Sequence, residues 1–294
     1  MSTSAPGGGV IHDLGYRGYD GPRLGTGSIA RSLFTLGLRH AYGLGRSGRS
    51  RVLPFLLLAF ATLPAAVMIG VVAFTGFDIG TGYAAYPDQV QTIISVFAAA
   101  QAPVLFSRDL QHRSIVLYSA RPLSIAWYAV VRWLSLTAAI AAFILGPVLV
   151  LYVGSLLTGL DPAPHSAAFA KAAAGMVLLA AMLAAITGVI STLSTRRGLA
   201  VVASIALLVF GPGAVVLVQQ LALDRGADAI AQLAGLGSPY SIYTGVLHLI
   251  DPDVASFAPP DSPLFNALYV GAAVAIPVLG IALLVLRLRS VASR

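Results

Sequence analysis

Long apolar runs broken by short polar clusters organise this chain, and their lengths point to helices that cross a bilayer. Val52 to Gly76 holds twenty-five residues without a charge, about 37 Å of helix against a hydrocarbon core of about 30 Å. Further apolar runs at 90–107, 125–157, 169–193, 199–221 and 264–286 predict six spans in all, inside a transmembrane region 52–286. The second is diluted by Gln91, Thr92, Ser95 and Gln101, so it is expected to face other helices rather than lipid. In the third, Trp127, Tyr128, Arg132 and Trp133 mark the inner interface, and Gly146-Pro147 predicts a kink. Ala180, Ala184, Gly188 and Thr192 recur every four residues in the fourth, a small-residue stripe for close helix packing. Gly211-Pro212-Gly213 interrupts the fifth. Residues 1–27, rich in Gly, Ser and Pro, read as a tail. Residues 28–51 read as an amphipathic interfacial helix and linker, with Ser28 as N-cap and Ile29, Leu33, Leu36 and His40 at helical spacing. Before the last span, 229–236 and 240–250 are two apolar pieces too short to cross, expected as interfacial or re-entrant helices.

Composition agrees with that pattern and orients it. The chain is 57% hydrophobic and 10% charged, far from the quarter charged of soluble proteins. Seven Arg precede the first span; Arg108, Arg113, Arg121, Arg132, Arg196, Arg197 and three C-terminal Arg complete one side, against only Lys171 and Arg225 on the other. Positive charge marks the cytoplasmic side. The fold class expected is therefore an all-α integral membrane protein with six transmembrane helices, both termini cytoplasmic and residues 287–294 as a cytoplasmic tail. No signal peptide is expected at the N-terminus, because about fifty polar residues precede the first apolar run. The net charge of +7 suits anionic headgroups rather than nucleic acid, since no solvated basic face is gathered.

Several chemistries are excluded by residue usage. No Glu and no Cys occur, so glutamate-dependent zinc hydrolysis and thiol chemistry are absent. None of the six predicted spans contains Asp or His, which disfavours an intramembrane protease or an ion-coupled carrier. The single lysine, Lys171, lies in Ala-Lys-Ala, so no phosphate-binding loop exists and no enzyme activity is expected. His248, Asp251 and Asp253 are few and weak as metal ligands, and are read as a capped turn with no metal. Gln91, Gln101, Gln219 and Gln220 are candidates for a substrate path, with interhelical hydrogen bonding as the other reading.

The segment 106–124, between the second and third spans, carries Arg108, Asp109, Arg113 and Arg121 and stops at Pro122. Asp109, then Ser114, then Ile115 to Tyr118, closing in Arg121-Pro122-Leu123-Ser124, resembles the cytoplasmic loop of ABC-2 type transporter permeases. Members of that family more often have Glu and Gly-Thr where this chain has Asp109 and Arg113-Ser114. The basic helix before the first span, the six spans and the bipartite outer segment extend the resemblance, and the leader Asp13 to Arg23 resembles those of permeases from high-GC, actinobacterial-like bacteria. The resemblance implies a permease subunit in a bacterial plasma membrane, most often an exporter, paired with a second permease subunit as homodimer or heterodimer. A separate cytoplasmic ABC ATPase would hold ATP and Mg, with no cofactor in this chain. In such a complex the loop is a coupling helix, with Asp109, Ser114 and Pro122 among its ATPase-coupling residues: Arg108, Arg113 and Arg121 would steer and orient docking, and Ile115, Leu117 and Tyr118 would supply buried anchors. The alternatives are a non-transporting membrane anchor or assembly protein and, third, a secondary transporter.

Overall fold

The structure, a computed structural model, describes residues 21, 25–45, 47–75, 82–107, 124–194 and 196–292. Among them every regular element is helical and none is a strand. Five helices are long and apolar enough to cross a membrane: α2 (Arg49–Thr75), α5 (Ile125–Leu157), α6 (Pro162–Leu193), α7 (Arg197–Leu223) and α10 (Pro263–Ala292). Shorter ones complete the fold: α1 (Thr26–Ala41), α3 (Tyr86–Gln89), α4 (Gln91–Leu105), α8 (Asp228–Gly235) and α9 (Pro239–Ile250). This is the architecture of a multi-pass membrane protein.

The core forms around α6, which packs against α4, α5, α9 and α10. Its start is written in Asp161-Pro162: the carboxylate accepts from the Ala163 amide at 3.2 Å and proline takes the first turn, where its missing N–H costs nothing. The expected connection between the spans 125–157 and 169–193 is thereby corrected to four residues, and His165 becomes helical. Along α6 the stripe Ala180, Ala184, Gly188 and Thr192 is buried. A Cβ on Gly188 would lie 3.3 Å from the Phe106 ring. One residue over, a Cβ on Gly280 of α10 would come within 2.6 Å of the Ala185 Cβ, so the two backbones nearly touch.

Hydrogen bonds fix how the helices run. Trp133 of α5 donates to the Ala181 carbonyl at 3.2 Å, and Tyr152 bonds Ser166 at 2.8 Å, so α5 and α6 lie antiparallel. Tyr83 meets one end of α6 at His165, at 2.8 Å, while Ser107 meets the other, donating to the Ser191 carbonyl at 2.7 Å. The chain from Tyr83 to Ser107 thus travels the same length as α6 from His165 to Ser191, about 39 Å. Within it α4 itself is 15 residues, about 22 Å, less than the run 90–107 suggested. Most of α4 is covered by neighbours, so it needs no full-length apolar exterior.

Beside the prolines of two helices, side chains reach into the backbone. Pro212 lacks the N–H that would bond the Leu208 carbonyl, and a π-helical turn at Ala206–Phe210 precedes it. Ser95 of α4 donates to that carbonyl at 3.1 Å. In α2, beside Pro64, the Tyr86 hydroxyl enters the backbone ladder, donating to the Ala61 carbonyl and accepting from the Ala65 amide at 3.2 Å. Both α2, through Pro54 and Pro64, and α5, through Pro147, run on as single helices.

At the N-terminal side, α1 lies along the first half of α5. Tyr42 donates to the Ala139 carbonyl at 2.9 Å, and Gly37 sits where a Cβ would be 2.7 Å from Ser135. The predicted cap is corrected: the helix begins at Thr26 after Gly25, without a side-chain cap from Ser28. Gly43, with φ of 68°, turns the chain toward α2. The short helices α8 and α9 stand where the two apolar pieces were expected. Tyr269 of α10 pins them, donating to the Gln232 carbonyl at 2.9 Å and filling the space left by Gly235 and Gly245. Helix α10 runs on through Ala292, so residues 287–292 are helical.

Candidate functional site

At the end of the bundle where α5 stops and α6 begins, a cavity of about 340 Å3 opens between them and the C-terminal half of α2. It exists because Gly154 on α5 lets α2 approach: a Cβ there would lie 2.3 Å from the Ile69 Cδ1. Met68, Ile69, Val72 and Leu151 wall it, and Tyr83, Ser155, Thr158 and His165 form its polar end. Among the described residues no Asp, Lys or Arg lines it.

The polar end has a definite proton order. Ser155 donates its proton to the Tyr152 carbonyl at 2.8 Å, so its oxygen accepts from the Tyr83 hydroxyl, also at 2.8 Å. Tyr83 then accepts at its oxygen from the His165 Nδ1–H at 2.8 Å, and this bonding network assigns the imidazole tautomer. Thr158 donates to the Ser155 carbonyl at 2.9 Å, leaving its oxygen lone pairs as acceptors. Behind this network Tyr152 and Phe169 stack at 4.6 Å, and both rings meet the edge of Tyr83.

A second polar cluster lies at the entry to α4. The Tyr240 hydroxyl of α9 lies 2.9 Å from the Ser95 oxygen and donates to the Gln91 carbonyl at 3.0 Å, while Tyr243 donates to the Ala84 carbonyl at 2.9 Å. Asp88 on α3 is half-buried beside them; burial makes both phenols harder to ionise, and the charge of Asp88 adds to it. Burial pushes the Asp88 carboxyl up to about 7, since no cation is paired with it among the described residues. Sequence patterning gave no signal for this residue beyond its place in an outer loop.

The residues singled out from sequence are distributed differently. Arg108, Asp109, Arg113, Ser114, Ile115, Leu117, Tyr118, Arg121 and Pro122 lie outside the described residues. Their described flanks, Ser107 and Ser124, both stand at the end of the bundle that carries Ser191. Exposed Arg196 and Arg197 belong to that end, as does Arg287, which donates to the Thr192 carbonyl at 3.3 Å. Of the four glutamines, Gln101 and Gln219 are buried; Gln219 donates to the Ala231 carbonyl at 3.2 Å, and Gln220 reaches Asp224 at 2.8 Å. None of the four lines the cavity. His248 donates from Nδ1 to the Val254 carbonyl at 2.9 Å, and Asp251 pairs with Lys171 at 3.0 Å, which holds its carboxyl below the usual range. Among the described residues no three such groups gather as they would around a metal ion.

The sequence matches no protein-family model, and no curated protein matches it either.

Proposed function

We propose that this chain is the membrane-spanning subunit of an ATP-driven transporter of the ABC-2 type, acting as an exporter in a bacterial plasma membrane. The observation that carries this reading is the course of Tyr83 to Ser107 along the full length of α6. It supports a sixth crossing, with α4 as its helical centre, and six crossings leave both termini on the basic, cytoplasmic side. Ser107 and Ser124, the described residues that flank 108–123, then stand at that side with Arg196, Arg197 and Arg287, where a soluble ATPase would dock. Arg113 and Tyr118 would meet the ATPase, which supplies the nucleotide site this chain lacks. The other permease subunit, same chain or different, would complete the path.

Arg113→Glu and Tyr118→Asp test the joint. Both variants are expected to insert normally, while the ATPase activity of the complex no longer responds to transport and transport falls at least about tenfold. Full transport by both would refute the docking role.

Asp88 favours a second reading, a proton-coupled secondary carrier, because a half-buried carboxyl that titrates near neutrality is the group such a carrier uses. Transport that follows an imposed pH gradient without ATP would select it.

A further inference from the structure

The cavity under α2 has a chemistry that the transport reading does not use. Its walls are aliphatic, its one polar end is built of hydroxyls and an imidazole, and among the described residues no fixed charge faces it. Beside the lining residues Val72 and Thr158, the neighbouring Val71, Phe74 and Leu157 are exposed on helices long enough to cross a membrane. Such surfaces face lipid, so the cavity lies within reach of the bilayer on that side. A volume of about 340 Å3 is within the range of small-ligand sites and too apolar to hold an ordered water cluster of that size.

We propose that this cavity is a binding site for an uncharged, single-chain amphiphile drawn from the membrane, its chain between Met68, Ile69, Val72 and Leu151 and its hydroxyl head at Thr158 and the Tyr83–His165 pair. Charge selects against other lipids. A carboxylate or ammonium head would be desolvated here with no counter-charge, at a cost that an alcohol does not incur. Thr158, whose proton is committed to the Ser155 carbonyl, accepts from the head's hydroxyl. Close approach at Gly154 keeps Ile69 as the floor, so the cavity's depth depends on α2 staying against α5. The site follows from the membrane placement of these helices and stands whether or not an ATPase is the partner.

The test uses the full chain in lipid nanodiscs with two photoreactive probes, a diazirine-bearing long-chain alcohol and the matching fatty acid, at pH 8. The alcohol is expected to label peptides containing Met68 to Val72 and Leu151 to Thr158 in a saturable way, at least about fivefold above the acid. Val72→Trp fills the cavity and should reduce that labelling at least fivefold, whereas Val71→Trp, one residue away and facing outward, should leave it within twofold. Melting temperatures of both variants are compared, and Met68→Trp replaces Val72→Trp if the latter unfolds. Labelling that does not saturate, spreads equally to lipid-facing Leu279 and ignores the tryptophans would overturn the proposal. So would equal labelling by the acid.

Discussion

Replacing Asp88 with asparagine isolates one electrostatic cost in the fold. Burial raises the carboxyl from its usual 3.8 to about 7, and each tenfold change in proton affinity is worth about 1.4 kcal/mol. The full shift bounds the cost of ionised Asp88 at about 4 kcal/mol; because the side chain is partly exposed, solvent screening brings it to about half that. The sign follows from which state holds the proton. Between pH 4 and pH 7 the folded protein keeps a proton that the unfolded chain has lost, so stability falls as pH rises through that window. Below pH 4 both states are protonated and the cost is absent; above pH 7 both are ionised and it is fully in force. Thermal unfolding in detergent, followed at pH 5 and pH 8, should show wild type losing several degrees relative to Asp88→Asn on going to pH 8. The asparagine variant should be the more stable of the two at pH 8. A wild type whose stability rises with pH relative to the variant would refute the argument.

Other perturbations test the packing. Ser95→Ala and Tyr240→Phe should each cost about 1 to 2 kcal/mol, since each leaves a buried carbonyl or hydroxyl without its partner, and the double variant should cost less than the two together. Urea or thermal unfolding of the four proteins checks both statements. Gly245→Ala should destabilise by about 1 to 3 kcal/mol, because the new methyl would lie 2.4 Å from the Tyr269 ring, whereas Gly70→Ala meets nothing within 4 Å and should be neutral or better.

Much of this fold is readable from apolar periodicity and helix punctuation. Ser124 before Ile125 and the unbroken run to Leu157 define α5, and Ser238-Pro239 announces α9 just as plainly. The start of α6 is equally written, in Asp161-Pro162, but a second proline, Pro164, and polar His165 beside it made a loop the simpler reading. The small-residue stripe on α6 announced a close contact without naming the partners, because Phe106 and Leu284 come from distant parts of the chain. The cavity was not legible at all. It depends on Ile69 fitting over Gly154, and on Tyr83, 82 residues from His165, arriving at the same end of the bundle. Nor could composition reveal Asp88, since a raised carboxyl needs neighbours that only the fold supplies. The glutamines had two readings in the sequence, and the hydrogen bonds of Gln219 and Gln220 account for those two as local packing.

The central claim is that a separate ATPase engages this chain through the segment 106–124. Mild-detergent purification of the tagged protein from its native membrane, with mass spectrometry of what accompanies it, measures this directly. The account predicts a stoichiometric soluble ATPase that is lost when Arg113 and Tyr118 are replaced. Recovery of the intact protein without any ATPase, under conditions that preserve other membrane complexes, would contradict it.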